Sequence, residues 1–320
     1  MPRLQLSAPC RLHFGLYGLA SGTHRKFGGV GMMIDRPRLR LEAVAAPAFE
    51  VAGPDGDRLV EFARRRQAFY REATLPACRL TILDAPPAHA GLGSGTQAAL
   101  ATAALLNAWV GRENGPPEEL ARSVDRGLRS AVGTYGFALG GLIAERGRAE
   151  DEPFSPLDAR IEVCPDWRFV LLRPPGEPAV FGRDEERRIT ELPPVPAATT
   201  TNLVRLVRER LLPATATADF PAFTAALYEF NHDAGLLFAA AQGGPYHGPI
   251  LSEWVAVCRS LGAVGVGQSS WGPTIFAAFA NAAEAEAFVA RLRQAPGGKE
   301  LGIEITAAAA HGAVIQRLSE

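Results

Sequence analysis

The stretch from Pro87 to Thr96 reads Pro-Ala-His-Ala-Gly-Leu-Gly-Ser-Gly-Thr and runs straight into an alanine- and leucine-rich segment from Gln97 to Leu106. Gly91, Gly93 and Gly95 let the backbone turn with positive φ and come close to a ligand. Ser94 and Thr96 add hydroxyls, and a helix starting behind them turns its free N–H groups and positive dipole end into the loop. Residues of these types in this order hold a phosphate or another compact anion. The loop is not a Walker A sequence, since no lysine follows the last glycine, and its spacing is not the dinucleotide fingerprint. His89 is read as a flanking residue of the loop.

Further chemistry-bearing groups stand far from this loop in sequence. Arg11 and His13 sit on alternate positions just past an expected first strand, so both can share one face. Arg11 is read as a phosphate or carboxylate clamp. His13 is either a donor to the anion or a satisfied structural histidine. Ser269 and Ser270 lie between Gly267 and Gly272, where successive N–H groups either meet a phosphate or form a tight turn. Trp271 either stacks on a ligand ring or wedges two parts of the chain apart.

The elements that must position these groups follow from periodicity. Leu4–Ala8, Arg38–Val44 and Arg79–Leu83 alternate as strands, the last delivering the chain to the glycine loop. A helix is expected over Asp57–Tyr70, another from the loop to near Gly111, and a third begins at Pro116-Pro117. A glycine-rich loop is expected from Gly15 to Gly31. A second glycine cluster runs from Val132 to Gly141, after which Arg168–Arg173 reads as a buried strand. Helices near 199–212, 219–232 and 250–261 precede a strand over Gly262–Val266, the Gly267–Pro273 loop and a strand over Thr274–Phe279. Asn281 caps a helix through Arg293, and Gly302–Ala307 returns as a strand.

The chain has 320 residues, 47% of them hydrophobic and 21% charged, with a formal net charge of −1. That length suits two domains, placed at 1–165 and 166–320. The balance gives no electrostatic reason for nucleic acid or an anionic membrane surface as partner, so an anionic ligand needs a local site. Cys10, Cys78, Cys164 and Cys258 have no metal or redox spacing and read as small buried hydrophobes. No secretory signal or spanning segment is seen, so a cytoplasmic location is expected.

Arg11-Leu12-His13-Phe14-Gly15-Leu16, the Gly91–Thr96 loop and Gly267-Gln268-Ser269-Ser270-Trp271-Gly272-Pro273-Thr274, in that order, resemble the GHMP superfamily of galacto-, homoserine, mevalonate and phosphomevalonate kinases. The resemblance implies an α+β fold: an N-terminal domain like ribosomal protein S5 domain 2, a ferredoxin-like C-terminal domain, and a site between them. With Arg25-Lys26-Phe27-Gly28-Gly29, Val132-Gly133-Thr134-Tyr135-Gly136-Phe137 and Gln242-Gly243-Gly244, the chain looks like the β-ribofuranosylaminobenzene 5′-phosphate synthases, a non-kinase branch. That implies transfer from phosphoribosyl pyrophosphate to 4-aminobenzoate or 4-hydroxybenzoate, with loss of CO2 and pyrophosphate, in tetrahydromethanopterin-type cofactor synthesis.

On this resemblance Arg11, His13, Ser94 and Thr96 carry the chemistry. Arg25, Lys26, Gly28, Gly29, the loop glycines, Gln242, Gly267, Gln268, Ser269, Ser270 and Trp271 bind substrate. Thr134 and Tyr135 either line the aromatic-acid pocket or pack in the core. Mg²⁺ is implied, with Ser94 as its ligand, as are a homodimer and no organic cofactor. Many superfamily kinases carry a catalytic Asp a few residues before a Gly-Gly pair. Here Val132–Gly141 contains no carboxylate, which counts against phosphoryl transfer to an alcohol. An ATP-dependent kinase of the same fold and a non-catalytic ligand sensor remain the alternatives.

Overall fold

The computed structural model describes residues 3–19, 25–53, 56–176 and 191–318. Two antiparallel-dominated sheets, each covered by helices, make an α+β molecule. The first sheet is built on two long neighbours, β1 (Arg3–Leu16) and β2 (Gly29–Ala45). It also holds β3 (Glu50–Ala52), β4 (Cys78–Asp84), β5 (Leu142–Glu145), β6 (Leu157–Ile161) and β11 (Val314–Leu318). Helices α1 (Gly56–Phe69), α2 (Ser94–Trp109), α3 (Pro117–Arg122) and α4 (Val132–Leu139) belong to this half.

Helix α2 carries no charged residue and ten of its residues are buried, so it forms the centre of the helical layer. Its alanines and leucines favour helix at little side-chain entropy cost. Gly111, at φ +74°, follows its end, where a left-handed residue terminates a helix readily.

β1 is longer than its alternating start suggests. A register shift opposite Pro9 and Cys10 lets the strand continue past the bulge. Leu4, Leu6 and Ala8 then pack with the helices, while Cys10, Leu12 and Phe14 pack with the second half. Arg11 and His13 therefore lie within a strand, not just past one. The loop expected over Gly15–Gly31 is correspondingly shorter. Gly29 and Gly31 are strand residues paired with Leu16 and His13, and a Cβ on either would collide with the carbonyl oxygens of Gly15 and Leu12 on β1. Residues 20–24 of that loop lie outside the described residues.

The second sheet has the order β10-β7-β9-β8, from β7 (Arg168–Arg173), β8 (Val266–Gln268), β9 (Ile275–Phe279) and β10 (Gly302–Thr306). With intervening helices this is the βαββαβ arrangement of a ferredoxin-like unit. Its helices are α5 (Ala197–Leu206), continued through a π turn (Val207–Leu211) into α6 (Leu212–Ala216), then α7 (Phe220–Leu236), α8 (Ala239–Gln242), α9 (Gly248–Ser260) and α10 (Ala282–Leu292). Asn281 caps α10 by accepting from the Glu284 N–H at 3.0 Å, as its position suggests. The strand expected at Gly262–Val266 forms later, at Val266.

One connection departs from a simple division at 165/166. After β10 the chain crosses back, and β11 pairs antiparallel with β1, Arg3 opposite Leu318 and Ser7 opposite Val314. All four cysteines are free, and burial pushes the Cys10 and Cys258 thiols up to about 12. Among the described residues no helix is long and apolar enough to cross a membrane.

Candidate active site

The three motifs converge on one place. The Arg11 N–H donates to the Leu92 carbonyl at 3.0 Å, fixing β1 beside the glycine loop. Ser269, fully buried, donates its hydroxyl to the Gly91 carbonyl at 2.8 Å and accepts from the His13 N–H at 3.0 Å. The Ser270 N–H donates to the His13 carbonyl at 3.0 Å. Ser269 is thus the tie that holds all three segments together, in a turn closed by the Gly272 N–H donating to the Ser269 carbonyl at 3.0 Å.

Around this tie lies a cavity of about 790 Å³ between the two halves. Arg11, His13, Gly91, Gly93, Ser94, Gly95 and Thr96 line it, with Gln242, Gln268, Ser270 and Trp271 from the second half. His89, read as a flanking residue, also lies on the wall. Gly91 and Gly93 have φ of +77° and +71°, and a Cβ on them would strike the Ser269 carbonyl and the Arg11 side chain. The loop therefore needs glycine both for its turn and for closeness. Gly93 is the N-cap of α2 and no side chain caps the helix, so the Ser94 and Thr96 hydroxyls are not used in capping.

The wall is strongly cationic. Arg58, Arg126 and Arg129 join Arg11, against one acid, Asp125, which pairs with Arg65 at 3.2 Å. The Arg126 guanidinium stands 5.1 Å from the centre of the Phe62 ring, and its Nε is buried without a hydrogen-bond partner. Burial, then the neighbouring Arg65 and Arg58, pull its pKa below the usual arginine value. Crowded guanidinium groups of this kind are relieved by an anion.

His13 meets a second, buried acid indirectly. Its Nε2 lies 3.1 Å from the Ser130 Oγ, and Ser130 donates to the Glu145 Oε1 at 2.7 Å. The Ala131 N–H donates to the same oxygen at 2.9 Å. Glu145 is wholly buried at the end of β5, and burial raises its pKa. Burial, then the charge of Arg11, drives the His13 pKa well below its ordinary value, so the imidazole is neutral near pH 7.

Several expected contacts are not on this wall. Arg25 is taken up by Glu152, at 2.8 and 2.7 Å, and by the Gly147 carbonyl at 2.6 Å. Lys26 bridges to Arg148 through its backbone, and Gly28 and Gly29 serve close backbone approach to Gly147 and Gly15. Thr134 and Tyr135 are core residues of α4. The Tyr135 hydroxyl bonds Glu118 at 2.8 Å and the Ser155 carbonyl at 2.9 Å, away from the cavity. Gly267 leaves room for Asn231, whose side chain ties the Phe14 and Gln268 carbonyls together. Gln268 and Gln242 reach the wall but their amides brace backbone: Gln268 bonds the His247 N–H and the Ser270 carbonyl, Gln242 the Gly235 and Gly244 carbonyls. Trp271 both lines the cavity and packs edge-on against Phe238, ring centres 5.1 Å apart.

The residues missed from sequence are Arg58, Arg126, Arg129, Ser130 and Glu145. Arg126, Arg129 and Ser130 sit in the short connection between α3 and α4, where no period assigns a face. Among the described residues no group of three or more His, Cys, Asp or Glu could hold a metal ion. The side-chain oxygens that the glycine loop itself offers to the cavity are the Ser94 and Thr96 hydroxyls.

The family models "GHMP kinases N terminal domain" and "GHMP kinases C terminal" match residues 58–141 and 211–298. The β-ribofuranosylphenol 5′-phosphate synthase of Archaeoglobus fulgidus is 30% identical over 287 residues, covering 86% of this chain and 87% of the relative. That of Methanothermobacter thermautotrophicus is 29% identical over 298 residues, covering 85% and 88%. Among solved structures, homoserine kinase from Cytophaga hutchinsonii aligns with a TM-score of 0.67 at 15% identity, covering 98% of this chain and 97% of that one. Mevalonate-3-kinase from Thermoplasma acidophilum aligns at 0.65 and 13%, covering 99% of each. These last two likenesses are of fold alone.

Proposed function

Since this chain belongs to the β-ribofuranosylphenol 5′-phosphate synthase family, built on the GHMP kinase fold, we propose that it joins phosphoribosyl pyrophosphate to a para-substituted benzoate, releasing CO2 and pyrophosphate. The ring carbon that bears the carboxylate attacks the anomeric carbon of the ribose as the bond to pyrophosphate breaks. The carboxylate then leaves as CO2, and its bonding electrons restore the aromatic ring. That carbon carries no proton, so no base is needed beside it.

The observation that carries this reading is the charge of the cleft: four arginines and the α2 N-terminus face a space whose one acid is already paired. Substrates bearing a pyrophosphate, a phosphate and a carboxylate match such a wall. Arg11 and the loop from Gly91 to Thr96 are assigned to the departing pyrophosphate, whose growing charge their donors stabilise. Mg²⁺ would enter with the pyrophosphate, held on the protein side by Ser94, and would add positive charge at the leaving group. A kinase would want a carboxylate base at the cavity, and α4, where it would stand, is a core helix without one.

The relatives' names specify a phenol, the product that 4-hydroxybenzoate would give, and that acid is the first to test. A homodimer working in the cytoplasm is the proposed setting. Protein supplied with Mg²⁺, phosphoribosyl pyrophosphate and carboxyl-labelled 4-hydroxybenzoate or 4-aminobenzoate, without ATP, is expected to release labelled CO2 and pyrophosphate. No release from either acid, with ATP turnover on another substrate, would overturn the assignment.

A further inference from the structure

We propose that Glu145, Ser130 and His13 form a proton relay that takes the para-hydroxyl proton of a hydroxybenzoate acceptor, and so help set which para substituent the site turns over. The inference rests on the function proposed above. The geometry that carries it is the unbroken chain from a cavity-lining imidazole to a wholly buried carboxylate: 3.1 Å from His13 to Ser130, then 2.7 Å from Ser130 to Glu145. Glu145 is a costly residue to bury for structure alone, since burial holds its pKa up even against the hydrogen bonds it takes from Ser155, Ser130 and the Ala131 N–H. Ser130 has a single proton and gives it to Glu145, so His13 must carry its own proton on Nε2 and donate it to the Ser130 Oγ. Nδ1 is left with a free lone pair.

The step balances. The phenol proton passes to the His13 Nδ1, the Nε2 proton to Ser130, and the Ser130 proton to Glu145. The acceptor becomes a phenolate, which pushes electrons to the ring carbon that attacks the ribose. Once CO2 has left, the product is again a phenolate and the proton returns by the same route. An amino group needs none of this, because its nitrogen lone pair already feeds the ring. Raised pKa at Glu145 and lowered pKa at His13 favour a proton resting on the carboxyl over an imidazolium. The other groups facing the relay are Arg11 on β1, Tyr17 just past its end, Tyr135 on α4 and Ser155. Both tyrosines are pushed upward by burial and stay protonated.

The test compares the two acids in Ser130→Ala, which breaks the chain while Glu145 keeps the Ala131 N–H. With phosphoribosyl pyrophosphate and Mg²⁺, kcat for 4-hydroxybenzoate is expected to fall about 100-fold, and at least about tenfold more than kcat for 4-aminobenzoate. Glu145→Gln is expected to show the same split and Glu145→Asp to recover part of it, with melting temperatures verifying the fold. Equal losses on both acids, no loss, or a wild-type protein that uses only 4-aminobenzoate would overturn the relay while leaving the synthase reading intact. A wild-type protein that releases CO2 from neither acid would overturn both.

Discussion

Two glycine-bearing segments, Gly91–Thr96 and Val132–Gly141, look alike in sequence and do opposite things. In the first, the glycines bring backbone close to Arg11 and Ser269 and leave an open cavity in front of the α2 N-terminus. In the second, a Cβ on Gly136 would run into the Met33 side chain, and the space saved is filled by core. Glycine marks close approach in both cases. Which side of the backbone the approach serves, ligand or neighbouring strand, is decided by what the rest of the chain brings there.

The largest effect is expected at the cavity segment. Arg11→Ala should lower kcat/KM by about 100-fold, as loss of one preorganised donor does, while unfolding free energy changes by about 0.5 kcal/mol or less. Equal losses of activity and stability would erase the distinction between the two segments. Gly136→Val should do the reverse, costing about 2–3 kcal/mol through overpacking against Met33, measured by denaturant unfolding, with kcat of the folded fraction kept.

A pH series tests the cavity side differently. His13 has a folded pKa below 6.5, so as pH falls through about 6.5 the unfolded chain binds a proton the folded chain refuses, and stability drops. Glu145, raised in the folded state, acts with opposite sign above 4.5. His13→Asn should therefore lose stability less steeply than wild type between about pH 7 and pH 5, read as melting temperature. Smaller still, Tyr135→Phe should cost about 1 kcal/mol by unpairing Glu118 and the Ser155 carbonyl, with turnover unchanged. The smallest effect belongs to Thr134→Val. Its buried hydroxyl has no partner, so stability should stay within about 0.5 kcal/mol of wild type or rise.

The anion loop was legible because its signals are local: glycines for positive φ, then an alanine-rich helix. The 267–273 loop was legible from its glycines, and alternation and helix starts marked β4, β7 and most of the helices. The fold class rested on the resemblance to the GHMP superfamily, and β5, β6 and β11 carry no pattern strong enough to be read. Arg58, Arg126 and Arg129 were not, because their convergence depends on how α1 and the α3–α4 connection pack, which no spacing encodes. Thr134 and Tyr135 were placed by motif, and only tertiary contact shows that Tyr135 points to Glu118. The reach of β1 was hidden by a bulge, an irregularity of pairing rather than of composition.

β11 pairs with β1, the strand that carries Arg11 and His13, across more than 300 residues of chain. During synthesis β1 must therefore wait, one edge unpaired, until Val314–Leu318 have been made. The order of manufacture thus sets when this cleft can exist: its first wall is laid down early, but the strand bearing it gains its outer neighbour only when β11 arrives.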